Sequence, residues 1–135
     1  MPVGSLNFTW AKNQTEAETL TQVAVDSVES AARAARVLRE RGVNLPVVTL
    51  GANGAVAIDP QSLKPLCTAA PQVEVVDTTA AGDAFTAALA CGLAGGDSPA
   101  EALRFACAAG SAATTVLGAQ NAMPEFDRVL TIKQE

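Results

Sequence analysis

The apolar residues of the chain form short continuous runs, separated by longer segments in which they recur every three or four positions. Continuous runs of this length are typical of buried strands, and the wider spacing is typical of helices packed on one face. A helix between two strands favours a right-handed crossover in a largely parallel sheet, whose carboxyl edge collects ligands. The pattern therefore predicts an α/β protein, with strands at residues 6–10, 46–50, 55–58, 64–67 and 73–76.

Start and stop signals predict two helices in the first half of the chain. The first begins at Asn13, and Glu16 stands at its third position, which together form a capping box. The second begins at Asp26 or Ser27 and ends before Gly42, a natural C-terminal stop. The apolar stripe predicted for the second helix consists of Val28, Ala31, Ala32, Ala35 and Leu38.

Two further helices are predicted in the second half. One follows residues 77–80 and closes at the glycine pair 95–96, and the other begins at Ser98, with Pro99 at its first position and Glu101 completing a capping box. Helical spacing assigns the buried faces of both. These stripes are Phe85, Ala88, Leu89, Gly92 and Leu93, and then Leu103, Ala106, Cys107, Gly110 and Leu117.

Residues 77–85, Asp-Thr-Thr-Ala-Ala-Gly-Asp-Ala-Phe, join an apolar strand to an apolar helix, a junction at which anions bind. Small residues at Ala80, Ala81 and Gly82 let a phosphate reach the backbone, where the first free N–H groups of the helix face it. Asp83 would repel that phosphate unless it had a task, and the task that fits is deprotonating a hydroxyl that attacks the phosphate. The alternative is a helix start with a dipole-stabilising aspartate and no ligand.

Two upstream motifs have both structural and functional interpretations. Asn13 and Glu16 can be a capping box alone. Gly51 and Gly54 follow a predicted strand and can serve a tight hairpin alone, since Gly-x-x-Gly is a weak signal. The chain contains no Walker A sequence and no Gly-x-Gly-x-x-Gly, which disfavours P-loop and dinucleotide-binding folds.

In this order, the three motifs resemble those of the ribokinase-like carbohydrate kinases. Residues 77–85 resemble the C-terminal signature of that family, residues 49–54 resemble its nucleotide-binding turn, and Asn13-Gln14-Thr15-Glu16 resembles its Asn-x-x-Glu motif. The similarity covers nearly all the chain after about Leu6. It implies a mostly parallel central sheet flanked by helices, of which residues 1–135 are the C-terminal, nucleotide-binding half.

The resemblance also implies ATP and Mg²⁺ as cofactors, and it assigns roles to individual residues. Asp83 would be the catalytic base, and Ala80, Ala81 and Gly82 would form an anion hole with it. The residues expected to bind the nucleotide are Thr49, Gly51, Gly54, Cys107 and Ala108, and those expected to hold Mg²⁺ through water are Asn13 and Glu16. A K⁺ site known in part of the family would use Asp77, Thr79, Ala113 and Gly118, although Ala122 stands where a serine is common.

The acceptor is expected to be a small sugar or nucleoside, but the residues that would select it are not in this sequence. Family members run to roughly twice this length, as a large α/β domain with a lid does. Two hypotheses follow: the catalytic half of a sugar kinase, or a non-catalytic nucleotide-binding or interaction module derived from one. Half of a parallel sheet is expected to expose a strand edge and apolar surface. Homo-oligomers or self-association are therefore predicted.

The composition argues against several classes of partner and of catalytic group. The net charge is −5 with a pI near 4.6, which argues against nucleic-acid and anionic-membrane partners. The absence of histidine excludes His-based bases, ligands and triads, so carboxylates remain as acid/base groups. Three scattered cysteines suggest neither a disulfide framework nor a zinc site, and no leader or membrane segment is apparent, which predicts a cytoplasmic protein.

Overall fold

The computed structural model describes residues 9–116, which form two compact units. Unit 1 contains residues 9–51 and 55–67, and unit 2 contains residues 52–54 and 68–116. The strands are β1 Thr9–Asn13, β2 Leu45–Thr49, β3 Ala55–Ile58 and β4 Pro65–Thr68. The helices are α1 Gln14–Thr21, α2 Val28–Glu40, α3 Ala81–Ala94 and α4 Pro99–Ala113, and a 3₁₀ turn spans Gly51–Asn53.

The sheet has the order β1-β2-β3-β4, and it confirms the α/β class. β1 and β2 are parallel, as the crossover through α2 requires, whereas β3 returns antiparallel to β2 after the turn that follows Leu50. The sheet is therefore mixed. Every residue of β2 and β3 except Thr49 is buried, in agreement with their continuous apolar sequence.

The core of unit 1 lies between α2 and the sheet. Ser27 caps α2, and the helix ends beside Gly42, whose φ of +103° suits glycine. The predicted stripe is wrong at Val28, which is 41% exposed, because the buried face runs instead through Ser30 and Ala34. The buried cluster consists of Ala17, Val25, Ala31, Ala34, Ala35, Val48, Leu50, Val56 and Ile58.

Two strand predictions differ from the structure. β1, Thr9–Asn13, continues past the predicted end at residue 10, because the strand runs into α1 without a loop; residues 6–8 are outside the described part, so the predicted start is not tested. The strand expected at residues 73–76 does not form. Instead of pairing with a strand, the N–H groups of Val76 and Asp77 both donate to the carbonyl oxygen of Thr114, at 2.6 and 3.0 Å.

Unit 2 is built on the packing of α3 against α4. A Cβ atom placed on Gly92 of α3 would lie 3.2 Å from Cβ of Ala102 of α4, so the helices approach closely where their residues are small. α3 closes at Gly95, and Ser98 caps α4 by accepting from the N–H of Glu101 at 3.2 Å, the first half of the predicted box. Leu117 lies outside the described residues. Over residues 9–116, no helix has the length and apolarity needed to cross a membrane.

Candidate active site

The candidate residues are divided between the two units. Asn13, Glu16, Thr49 and Gly51 belong to unit 1, at the ends of β1 and β2. The others belong to unit 2. Gly54 directly precedes β3, and the rest lie around the start of α3 or along α4: Asp77, Thr79, Ala80, Ala81, Gly82, Asp83, Cys107, Ala108 and Ala113.

The N-terminus of α3 has no side-chain cap. Ala80 occupies the N-cap position and offers no hydrogen-bonding side chain. The N–H of Ala81 reaches the carbonyl of Thr78 at 3.2 Å, but the N–H groups of Gly82 and Asp83 find no acceptor among residues 9–116. Two adjacent backbone donors at a helix start, reinforced by the helix dipole, make a binding point for an anion.

Gly82 leaves open space in front of these donors. It is exposed, its φ is not positive, and a Cβ atom placed on it would meet nothing within 4 Å. Neither backbone strain nor packing therefore requires glycine here. The absence of a side chain at Gly82 leaves the backbone of this turn accessible.

The carboxylate of Asp83 stands in the first turn of the same helix. It is exposed, and no residue in the described part of the chain donates a hydrogen bond to it or pairs with it. An unengaged carboxylate beside an anion-binding backbone can accept a proton from a hydroxyl brought to it.

The segment before Ala80 is held by its own hydrogen bonds. Oδ1 of Asp77 accepts from the N–H of Thr79 at 2.9 Å and also from the Thr79 hydroxyl, and Thr114 anchors the backbone at Val76 and Asp77. Ala113, the next residue predicted for a K⁺ site, is fully buried. Gly118 and Ala122 lie outside the described residues, so the K⁺ site stays a prediction.

The described side chains of unit 2 are mostly acidic. They carry carboxylates at Glu74, Asp77, Asp83, Asp97 and Glu101, and Arg104 is the one Lys or Arg among residues 52–54 and 68–116. Within this part of the chain, the N–H groups and the dipole of α3 are therefore the main features that favour an anion at the start of the helix.

The unit 1 motifs meet at the carboxyl edge of the parallel strands. Asn13 ends β1, Thr49 ends β2, and the two are register partners. Asn13 Oδ1 accepts from the N–H of Glu16 at 2.8 Å, and Glu16 Oε1 accepts from the N–H of Asn13 at 3.0 Å, which confirms the capping box. Both residues are exposed, and the second carboxylate oxygen of Glu16 has no partner within residues 9–116. Over the same residues, no group of three Cys, Asp or Glu lies close enough together to hold a metal.

The two glycines of the turn after β2 differ in what they require. Gly51 is exposed with a φ of +58°, and a Cβ atom on it would meet nothing within 4 Å. Gly54 is buried with a φ of +97°, and a Cβ atom on it would lie 1.9 Å from the carbonyl oxygen of Thr68. The fold alone therefore demands glycine at position 54, whether or not the turn contacts a nucleotide.

Cys107 and Ala108, predicted beside the adenine ring, lie within α4 and are 4% and 0% exposed. Burial raises the pKa of the Cys107 thiol to about 12, so this thiol is neutral at ordinary pH. Their place beside a nucleotide stays a prediction.

Two residues that support the α3 start were not singled out from the sequence. Thr114 contributes its carbonyl oxygen, which no side-chain pattern reveals. Gly110 was assigned only to the apolar stripe of α4, but glycine in the middle of a helix costs about 1 kcal/mol relative to alanine, and this cost was the available signal.

Most of the candidate residues thus lie at the strand and helix ends at which α/β proteins commonly bind ligands. The family model described as pfkB family carbohydrate kinase matches residues 8–125, and the chain belongs to this family.

The chain is similar to ribokinases. It is 40% identical over 121 residues to the ribokinase of Arabidopsis thaliana, covering 89% of this chain and 32% of that protein. It is 38% identical over 121 residues to the ribokinase of Haemophilus influenzae, covering 87% of this chain and 38% of that protein. The chain thus spans between about a third and two fifths of the length of these relatives.

Solved structures agree with the fold. The structure of Arabidopsis thaliana ribokinase complexed with ribose and ATP matches with a TM-score of 0.85 at 36% identity, covering 95% of this chain and 41% of that one. Phosphofructokinase-2 of Escherichia coli in complex with potassium matches with a TM-score of 0.83 at 30% identity, covering 94% of this chain and 40% of that one.

Proposed function

We propose that this chain is the nucleotide-binding half of a carbohydrate kinase that transfers the γ-phosphoryl group of ATP to a hydroxyl of a sugar or nucleoside. The observation that carries the proposal is the uncapped start of α3, where the N–H groups of Gly82 and Asp83 find no acceptor within residues 9–116 and lie beside an exposed carboxylate. Family membership supports the reaction class, and the ribokinase relative complexed with ribose and ATP supports the two substrates.

In this proposal Asp83 is the base. The oxygen of the acceptor hydroxyl bonds to the γ-phosphorus, its proton passes to the Asp83 carboxylate, and the bond from the γ-phosphorus to the bridging oxygen breaks to release ADP. The N–H groups of Gly82 and Asp83 stabilise charge on the transferred group, because they are already oriented before the reaction begins.

The nucleotide is proposed to lie against the turn after β2 and along α4, at Thr49, Gly51, Gly54, Cys107 and Ala108. Of these, Thr49 and Gly51 have the clearest support: Thr49 ends a strand that pairs in parallel, and Gly51 comes two residues later, where α/β sheets bind ligands. Gly54 has its own structural reason to be glycine, and the two α4 residues are buried.

Asn13 and Glu16 are proposed to hold Mg²⁺ through water. The exposed Glu16 carboxylate, with one oxygen outside the capping box, has the chemistry that a hydrated Mg²⁺ prefers. A bound Mg²⁺ would neutralise phosphate charge, whereas the described side chains of unit 2 are acidic except for Arg104. The K⁺ site at Asp77, Thr79, Ala113 and Gly118 is supported by the potassium-containing relative, and the occupied Oδ1 of Asp77 weighs against it.

Calorimetric titration of the purified chain with a nonhydrolysable ATP analogue and Mg²⁺ tests the proposal. We expect saturable binding, and weaker binding of AMP, which lacks the phosphates that α3 would contact. Absence of binding by a chain that circular dichroism shows to be folded would contradict the nucleotide-binding half of the proposal.

A non-catalytic, kinase-derived module is the alternative function, and it predicts nucleotide binding without transfer. An assay of ADP formation distinguishes the kinase from the non-catalytic module. It uses the chain joined to the amino-terminal part of the Arabidopsis relative, with a panel of pentoses, hexoses and nucleosides as acceptors. Transfer that depends on one acceptor supports the kinase, and nucleotide binding without any transfer supports the module. Self-association of the isolated chain stays a prediction, supported by the exposed Val75 and Val76, and sedimentation tests it.

A further inference from the structure

We infer that Gly110 of α4 is a positioning residue for the anion-binding start of α3, an inference that rests on the proposed function. A Cβ atom placed on Gly110 would lie 3.4 Å from the carbonyl oxygen of Ala81 and 3.7 Å from Cβ of Phe85. Ala81 is the first residue of α3, and its carbonyl belongs to the same turn as the N–H groups of Gly82 and Asp83, for which the described part of the chain offers no acceptor. The backbone of α4 is thus seated directly against the turn that would bind the phosphate.

Thr114 supports the chain that precedes α3. It is the C-cap residue of α4, four residues after Gly110 and therefore on the same side of the helix axis. Its carbonyl oxygen accepts hydrogen bonds from the N–H groups of Val76 and Asp77. Its own hydroxyl donates to the carbonyl of Ser111 at 2.6 Å, which holds the last turn of α4 closed. Gly110 and Thr114 therefore contact the chain after and before the uncapped N-cap residue, Ala80.

Gly110 departs from what helix stability alone would select. Alanine in the interior of a helix is more stable than glycine, and α4 uses alanine at most of its buried positions. A Cβ atom on the half-buried Gly110 would lie 3.4 Å from the Ala81 carbonyl, which is the limit of ordinary contact. A branched residue adds further carbons beside the Ala81 carbonyl and Phe85, so we expect it to displace the first turn of α3.

Gly92 is the matched control for Gly110, because it lies at the same helix contact but away from the proposed phosphate-binding turn. It also lies between α3 and α4, and a Cβ atom on it would be tighter, 3.1 Å from Oδ2 of Asp97 and 3.2 Å from Cβ of Ala102. It belongs to the end of α3 that is remote from Ala81. Overpacking at Gly92 and at Gly110 should therefore both lower the thermal midpoint, but overpacking at Gly110 should also change the phosphate-binding turn.

The test is the dissociation constant for the nonhydrolysable ATP analogue, measured well below the thermal midpoint of each variant. We expect Gly110→Val to raise it about tenfold, since small displacements of positioned groups are costly, and Gly110→Ala and Gly92→Ala to leave it within about twofold of the parent. Wild-type binding combined with equal binding by a folded Gly110→Val variant would overturn the inference and leave the proposed function standing. Failure of the wild-type chain to bind would overturn both.

Amide resonances give a second test that needs no ligand and no valine variant. In Gly110→Ala, whose added carbon just touches the Ala81 carbonyl, the amide signals of Gly82 and Asp83 should shift, whereas that of Gly96 should not. Gly92→Ala should give the opposite result, because it contacts the segment near Asp97. Unchanged Gly82 and Asp83 signals in Gly110→Ala would contradict the positioning role.

Discussion

The helices α1 and α3 begin differently, although each carries an acidic residue at its third position. At α1, Asn13 and Glu16 exchange two hydrogen bonds, so the N–H groups of these two residues are satisfied by the capping box. At α3, Ala80 has no capping group and Asp83 makes no bond back to it, so the N–H groups of Gly82 and Asp83 find no acceptor among the described residues.

The contrast separates two uses of one sequence position. An acid that reaches back to its own N-cap residue stabilises the helix, and this is sufficient reason for its presence. An acidic residue that does not bond back to its N-cap residue makes no such contact. A helix without a cap is less stable than one whose first N–H groups are capped. The stability lost at the start of α3 is consistent with a ligand that binds there. The following substitutions test the start of α3 and then the start of α1.

The largest effect is expected from Asp83→Asn, assayed for phosphoryl transfer in the chain joined to an acceptor-binding half. Removing the base should lower turnover by about 10²–10⁴-fold, while the dissociation constant of the nucleotide analogue changes little, because the N–H groups remain. Glu101→Gln is the matched control, since Glu101 holds the same third position in the capped helix α4. Turnover that survives in Asp83→Asn would remove the base from the mechanism.

The next effect concerns access to the α3 backbone. Gly82→Val should weaken binding of the nucleotide analogue by about tenfold or more, because a branched side chain fills the space a phosphate needs. The thermal midpoint should hardly move, since a Cβ atom at this position meets nothing within 4 Å. Gly82→Ala should fall between Val and the parent in affinity. An unchanged affinity in the folded valine variant would show that no ligand approaches here.

A smaller effect tests the satisfied helix start. Asn13→Ala should lower the free energy of unfolding by about 1 kcal/mol, the usual cost of a lost cap, measured by denaturant titration. Glu16→Gln keeps an oxygen that can accept from the N–H of Asn13, so the stability should change by less than about 0.5 kcal/mol.

Glu16→Gln also separates capping from metal binding. If Glu16 holds Mg²⁺ as proposed, the concentration of Mg²⁺ needed for half-maximal nucleotide binding should rise in this variant, and chelation of Mg²⁺ should abolish the difference from the parent. An unaltered Mg²⁺ dependence would leave Glu16 with the capping role alone.

The parts of this contrast that could be predicted from the sequence are the local ones. The capping residues Asn13 and Ser27, the small residues before Asp83 and the close of α3 at Gly95 all depend on neighbours within a few positions. Residues 73–76 were mistaken for a strand because a strand depends on its pairing partner, and here the partner is Thr114. The need for glycine at position 54 comes from the carbonyl of Thr68, and the contact of Gly110 with Ala81 joins two helices; neither is visible in a local pattern.

The smallest expected effect tests how tightly α4 is packed at Cys107, since α4 packs against α3. Burial raises the pKa of the Cys107 thiol from 9.0 to about 12, so the neutral thiol stabilises the fold below about pH 9, and this contribution is lost as the pH rises from 9 towards 12. Between about pH 8 and about pH 9.5 the free energy of unfolding should therefore fall by less than about 1 kcal/mol through this group, and Cys107→Ala should remove that part of the decline. The measurement is denaturant unfolding of both proteins at each pH, and the comparison concerns the slopes, because the alanine variant also loses packing. Equal slopes would mean that the folded thiol titrates like the unfolded one, and hence that α4 is packed more loosely at Cys107 than its burial indicates.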